Sequence, residues 1–213
     1  MSEVAFLGLG ANLGDPLETL TAAVYALDEV DGLAVEDVSG VYATPPWPAP
    51  PDPRAIKQPD YLNLVVRVIT TLEPPALLAE TQLVEAAFGR DRATEVRWGP
   101  RMLDIDLLLV GSREFTTPDL TLPHPRLAER AFVLVPLVEV APGGSLPDGR
   151  RLTQLLNALA PIDDIELVVR LDDVPGRHVP RPQGPSAPGA SFSRPDHDAT
   201  AVEHGRRDPG TRP

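Results

Sequence analysis

An α+β sandwich with a mostly antiparallel sheet is the fold class this sequence predicts. Apolar runs with a period of two mark strands, as where Leu62, Leu64, Val66 and Val68 alternate with Asn63, Val65, Arg67 and Ile69. Stripes at helical spacing lie between them, such as Leu17, Leu20, Val24 and Leu27. The two kinds of segment follow one another without the long, regular βαβ cadence of a doubly wound sheet.

In chain order, Val4 to Leu9 reads as a first buried strand, and Gly8 and Gly10 as turn geometry beside a site. Gly8-x-Gly10 lacks the lysine of a Walker loop and the spacing of a dinucleotide fingerprint. Asp15 as N-cap and Pro16 in the first turn open a helix to about Val30, which Asp31-Gly32 ends. Leu33 to Tyr42 is extended and runs into Thr44 to Pro53, where six of ten residues are proline. That segment carries Trp47; its composition alone favours a rigid surface spacer, the alternative being a lid over a flat heterocycle. After the Tyr61 to Leu72 strand, Glu73-Pro74-Pro75 begins a helix through about Phe88. Leu77, Thr81, Val84 and Phe88 face inward in it, with Gln82 and Glu85 together on an adjoining face.

Beyond Gly89 comes a polar loop over 90–97, then the most apolar strand of the chain. Leu120 to Pro125 is extended, Arg126 to Val140 forms one or two short helices broken at Pro136, and Arg151 to Leu159 makes a last amphipathic helix. The domain is expected to span residues 1–165. Residues 166–213 form a Pro/Gly/Arg-rich tail expected to be disordered, with apolar periodicity lost from about Pro175. His178, His197 and His204 are too scattered in it for a metal tract.

The formal net charge of −12 argues against nucleic-acid binding, and residues 166–213 hold seven arginines and seven acids, so the excess belongs to residues 1–165. Without cysteine there is no disulfide, thiolate zinc site or cysteine nucleophile. No basic leader precedes the short first apolar run and no stretch approaches a membrane span, so a cytoplasmic protein with no membrane partner is expected. Yet Arg90, Arg92, Arg97 and Arg101 crowd one short stretch of this acidic chain.

That stretch leads into Leu103-Asp104-Ile105-Asp106-Leu107. Alternation puts Leu103, Ile105 and Leu107 on one face and Asp104 and Asp106 on the other, roughly 6.6 Å apart. Two carboxylates together disfavour each other's ionisation unless a cation lies against them. Two hard oxygen donors suit magnesium, which completes its octahedron with water and phosphate oxygens, and the arginines upstream suit phosphate. A bare D-x-D is equally an edge strand with a solvated acidic face; Trp98-Gly99-Pro100-Arg101 directly before it favours a metal and triphosphate site.

Arg97-Trp98-Gly99-Pro100-Arg101 followed by Leu103-Asp104-Ile105-Asp106 resembles the signature of the 6-hydroxymethyl-7,8-dihydropterin pyrophosphokinase family of folate biosynthesis. The resemblance extends to Phe6 through Asp15, Thr44-Pro45-Pro46, Gln58 through Asn63, and Arg130 through Leu137, in order and approximate spacing. It implies a ferredoxin-like architecture and a monomeric diphosphotransferase, moving the pyrophosphoryl unit of ATP to the pterin hydroxymethyl group with release of AMP. It further implies that Asp104 and Asp106 hold magnesium, two ions in all, and that Arg90 and Arg101 clamp the reacting phosphates. By the same resemblance Tyr61 and Phe132 sandwich the pterin, while Asn63 and Thr44, Pro45 and Pro46 read its edge. Gln82, Glu85, Arg92, Trp98, Ile105, Thr121, His124 and Arg130 match positions that contact the nucleotide or support the site. Asp119 and Pro125 depart from some relatives, which place an arginine and an aromatic there, and the loops over 44–57 and 90–97 are longer than in compact members. A different magnesium-dependent nucleotidyltransferase and a non-catalytic nucleotide-binding domain are the alternatives, separable by product.

Overall fold

The computed structural model of the chain describes residues 1–48, 51–91, 96, 98–171 and 174–175. Its elements run β1 (Glu3–Ala11), α1 (Pro16–Asp28), β2 (Leu33–Val38), β3 (Gly40–Thr44), β4 (Tyr61–Thr70), α2 (Pro74–Ala87) and β5 (Asp104–Val110). There follow β6 (Phe115–Thr116), β7 (Thr121–Leu122), α3 (Ala131–Val140), α4 (Leu152–Ala158) and β8 (Glu166–Arg170). The main sheet has six strands in the order β5-β1-β4-β3-β8, with β2 also pairing β4, and these pairings are antiparallel. This is the ferredoxin-like α+β arrangement.

Local chemistry explains the boundaries. The Asp15 carboxylate accepts the Glu18 N–H at 3.0 Å and Pro16 occupies the first turn of α1, so the helix starts where its orphan donors are met. Gly32, at φ +87°, turns the chain into β2, and a Cβ there would meet Thr71 Oγ1 at 2.9 Å. β4 is central because both faces bury apolar side chains: Leu64, Val66 and Val68 join the core under α1 and α2, while Val65 joins the core under α3 and α4.

Four expectations change. Gly8 and Gly10 lie within β1, which continues to Ala11, and make no turn: Gly8 is opposite Val65 and Asp106, Gly10 opposite Asn63 and Asp104. Leu33 to Tyr42 is two strands, parted at Ser39, which still joins the sheet by accepting the Val65 N–H on Oγ and donating its own N–H to the Val65 carbonyl. Pro136 lies inside α3 and does not break it; the break falls at Arg130, whose backbone is extended, and Val133, Leu134, Leu137 and Val140 bury the helix across the proline. Glu166–Arg170, assigned from sequence to the tail, is strand β8 on the β3 edge, and Val174 is buried, so the ordered fold passes residue 165. The expected disorder of 176–213 concerns segments outside the described residues. Among the described residues no helix is long and apolar enough to cross a membrane.

Candidate active site

One face of the sheet carries the site, and strand register composes it. Facing residues of neighbouring strands share a side, so Asp104, Gly10, Asn63 and Tyr42 form one row and Asp106, Gly8 and Val65 the next. The glycines matter by what they lack. A Cβ on Gly10 would come within 2.8 Å of Asn63 Oδ1, and one on Gly8 within 3.4 Å of the Leu108 side chain. With no side chains there, a cavity of about 260 Å³ opens between the acidic pair and Asn63. Thr44, Pro45, Trp47, Tyr61, Asn63, Arg90, Trp98, Arg101, Asp104, Asp106, His124, Arg130 and Phe132 line it.

The acidic end is wired to cations. Arg90 bridges Glu85 and Asp104, its side chain only 6% exposed and that of Glu85 1%. Glu85 also accepts the Ile105 N–H at 2.7 Å, so it fixes the arginine and the strand together from behind the cavity. Arg101 reaches the other Asp104 oxygen at 3.1 Å. Asp106 faces Arg130 at 3.5 Å and His124 Nε2 at 3.9 Å. Confinement at the cavity floor first, and the Asp104 charge second, push Asp106 up to about 7. Burial holds His124 down to about 4, with the Arg130 charge adding to it, so the imidazole is neutral at pH 7. Its Nδ1 accepts the Arg126 N–H at 3.2 Å, which leaves Nε2 carrying the proton toward the acids.

The other end is neutral. Asn63 donates to Thr44 Oγ1 at 2.7 Å within the sheet, and Tyr61 donates its hydroxyl to the Gly99 carbonyl at 2.9 Å. Phe132, at the start of α3, faces the same space, with the Arg130 guanidinium 5.5 Å from its ring centroid.

Two residues without an assigned role from sequence tie these ends together. Asn12 accepts the Arg101 N–H at 2.9 Å and donates to Gln58 Oε1 and the Pro59 carbonyl, each at 3.0 Å. Gln58 donates to the Trp98 carbonyl at 2.7 Å. Trp98 has φ +67°, the only non-glycine with positive φ among the described residues, so its backbone is held in a conformation that side chains disfavour. Both residues sit inside the quoted motifs; their type, a side-chain amide beside a glycine- or proline-rich turn, is the available signal.

Other expected residues fall elsewhere. Gln82 and Thr121 do not line the cavity, the Ile105 side chain is buried in the core, and Pro46 lines a neighbouring cavity with Leu159 and Ile162. Arg92 and Arg97 lie outside the described residues. No group of three or more His, Cys, Asp or Glu side chains capable of holding a metal occurs among the described residues; the donors present are the two aspartates.

The chain is similar to known proteins. The Pseudomonas aeruginosa 2-amino-4-hydroxy-6-hydroxymethyldihydropteridine pyrophosphokinase is 40% identical over 166 residues, spanning 78% of this chain and 97% of that protein. The Bacillus subtilis protein of the same name is 41% identical over 141 residues, 66% of this chain and 79% of its own. Among solved structures, Plasmodium falciparum HPPK-DHPS with pteroate aligns at a TM-score of 0.58 and 14% identity, over 74% of this chain. This chain spans 42% of that protein, and at such identity the likeness establishes the fold alone. The family model described as 7,8-dihydro-6-hydroxymethylpterin-pyrophosphokinase matches residues 6–142, and the chain belongs to that family.

Proposed function

We propose that the chain transfers the diphosphoryl group of ATP to the hydroxymethyl oxygen of 6-hydroxymethyl-7,8-dihydropterin. The pterin oxygen forms a bond to the β-phosphorus, the bond from that phosphorus to the α,β-bridging oxygen breaks, AMP leaves and the hydroxyl proton passes to solvent. The observation that carries this reading is the register itself, which sets two carboxylates beside two bare glycines at one end of a cavity whose other end is Asn63, Tyr61 and Phe132.

Mg²⁺ fits the donor set. Two carboxylates on one strand face, one of them pushed up by burial and then by the other's charge, gain from a divalent cation, and two oxygen donors leave positions for phosphate oxygens and water. When bound, two such ions held by Asp104 and Asp106 would neutralise the triphosphate as charge moves to the departing AMP. Arg90 and Arg101 are cations held on Asp104, able to exchange a carboxylate oxygen for a phosphate oxygen of similar geometry. Arg130 and the neutral His124 donate toward the same space from the far side. Tyr61 and Phe132 supply stacking surface for the pterin, and Asn63 with Thr44 and Pro45 supplies edge recognition.

Product analysis tests the reading. With Mg-ATP and hydroxymethyl-dihydropterin the chain should release AMP and form the pterin diphosphate. Release of inorganic pyrophosphate would assign a nucleotidyltransferase instead, and no turnover would assign a binding domain.

A further inference from the structure

Arg126 belongs to no motif quoted above and does not line the cavity, yet it touches both indoles that do. Its guanidinium carbon lies 4.7 Å from the Trp98 ring centroid and 5.4 Å from that of Trp47. The two indoles meet edge to face, centroids 5.2 Å apart at 72°. They come from segments far apart in sequence, Trp47 after β3 and Trp98 after α2, and no strand pairing joins those segments among the described residues.

Arg126 is free to serve as their common support. Arg130 also lies over Trp47, 5.1 Å from its centroid, but it, Arg90 and Arg101 are each paired with an active-site aspartate, whereas Arg126 reaches both indoles and no carboxylate pairs with it among the described residues. A weakly hydrated, planar guanidinium without an ionic partner is well suited to stacking on indole. Its backbone is anchored: the N–H bonds to His124 Nδ1 at 3.2 Å, the carbonyl accepts the Glu129 N–H at 3.1 Å, and Leu127 beside it is buried. Trp98 requires such outside contacts, because its φ of +67° is unfavourable for a side chain of any size.

We infer that Arg126 is a positioning residue of this site, holding Trp47 and Trp98 edge to face as one wall of the cavity. Each indole alone is a side chain on a segment without regular structure; stacked beside one anchored guanidinium they form a single surface facing the pterin end. The kinetic consequence rests on the pterin-transfer reading, while the structural consequence does not.

The chain has two tryptophans, both in this wall, so fluorescence excited selectively in tryptophan, away from the three tyrosines, reports on it. In the full-length, ligand-free protein, Arg126→Ala should raise the acrylamide quenching constant about twofold, and Arg126→Lys, which keeps charge but loses the planar stack, by less. Trp98→Phe and Trp47→Phe, each combined with Arg126→Ala, assign the change to one indole or both. In turnover, Arg126→Ala should raise KM for the pterin roughly five- to tenfold and leave kcat within about twofold, with partial recovery in Arg126→Lys. A wild-type quenching constant in folded Arg126→Ala overturns the inference. So does raised quenching with unchanged KM for the pterin, since the stack would then be structural only. Should Arg126→Ala fail to fold, Arg126→Lys decides by the same two readings. An inactive wild-type protein would sink the pterin-transfer reading alone, and the quenching result would still decide whether Arg126 holds the wall.

Discussion

The two faces of the sheet use the same strands for opposite ends. Under α1 and α2, Leu7, Leu9, Leu64, Val66, Ile105 and Leu107 interlock with Leu20, Val24, Leu27 and Leu77, and these side chains are almost wholly buried. On the other face α3 and α4 cover only part of the sheet, packing on Val65, Leu108 and Leu109, and the strand ends beyond them carry Asp104, Asp106, Gly8, Gly10, Asn63 and Tyr61. A one-residue slip would exchange the faces, burying the carboxylates and exposing the leucines. The apolar face therefore fixes the register that the polar face needs. Stability and chemistry can then be altered separately, although their residues are adjacent in sequence.

The sharpest break of that comparison is Asp106→Asn. The side chain keeps its shape and lies away from the apolar face, so the melting temperature should hold or rise. Turnover should fall by at least about a thousandfold, because charge compensation for the triphosphate is lost. A folded, fully active variant would remove Asp106 from the metal site. Leu64→Ala is the counterpart on the same sheet. Its side chain is 1% exposed, and truncation should cost about 2–5 kcal/mol, a fall of roughly 10 °C in melting temperature, while kcat well below the melt stays within about twofold. A variant whose kcat collapses with little change in melting would show that the faces are not separable.

The faces also differed in how far they could be read. Alternation of Leu103, Ile105 and Leu107 with Asp104 and Asp106 marks a buried side and an acidic side directly, and it holds in the structure. Gly8 and Gly10 look like a turn in the sequence because glycine has no side chain to show a period, and only pairing with Asn63 and the aspartates reveals them as strand. Glu166–Arg170 carries no strand signal of its own, because β8 is five residues long and its partner β3 lies far back in the chain, so no local pattern announces the pairing. Asn12, Gln58 and Arg126 act through contacts between segments remote in sequence, where neither periodicity nor charge patterning carries information. Pro136 has the local character of a helix breaker, and the burial that keeps α3 whole across it is a tertiary effect.

A smaller effect tests the electrostatics of the open face. His124 titrates near 4 in the folded protein and, at its ordinary value, near 6.5 when unfolded. Between those values the unfolded chain binds more protons, so this residue makes stability rise with pH across that window, by on the order of 2–3 kcal/mol. Asp106, raised to about 7, acts with the opposite sign, because the folded form holds its proton longer. The wild-type curve alone therefore mixes the two. Urea unfolding without magnesium at several pH values, for wild type and His124→Gln, isolates the histidine: the variant should gain on wild type as pH falls below about 6.5. A constant difference across the range would mean that His124 is not held neutral by its surroundings.

The smallest expected effect concerns the network that ties the two ends of the cavity together. Gln58 accepts from Asn12 at 3.0 Å, lies 3.2 Å from the Tyr61 hydroxyl, whose one proton it shares with the Gly99 carbonyl, and donates to the Trp98 carbonyl at 2.7 Å. Gln58→Ala removes these bonds together. Water can reach this partly buried network, so the loss should approach the net worth of a hydrogen bond or two, about 1 kcal/mol, and not the cost of orphaned buried groups. Because Tyr61 keeps its bond to Gly99 at 2.9 Å and the sheet is untouched, the melting temperature should move little. The effect should appear where the Asn12, Tyr61 and Trp98 segments must be held together, as a rise in KM for the pterin of roughly fivefold with kcat nearly unchanged. Gln58→Glu keeps an acceptor oxygen for Asn12 and Tyr61 but loses the donor to Trp98, so it should weaken binding to a similar degree if that bond dominates. If Gln58→Glu behaves as wild type while Gln58→Ala does not, the bonds to Asn12 and Tyr61 carry the effect. If neither variant changes KM, the network is packing at the edge of the site and does not position Trp98 or Tyr61.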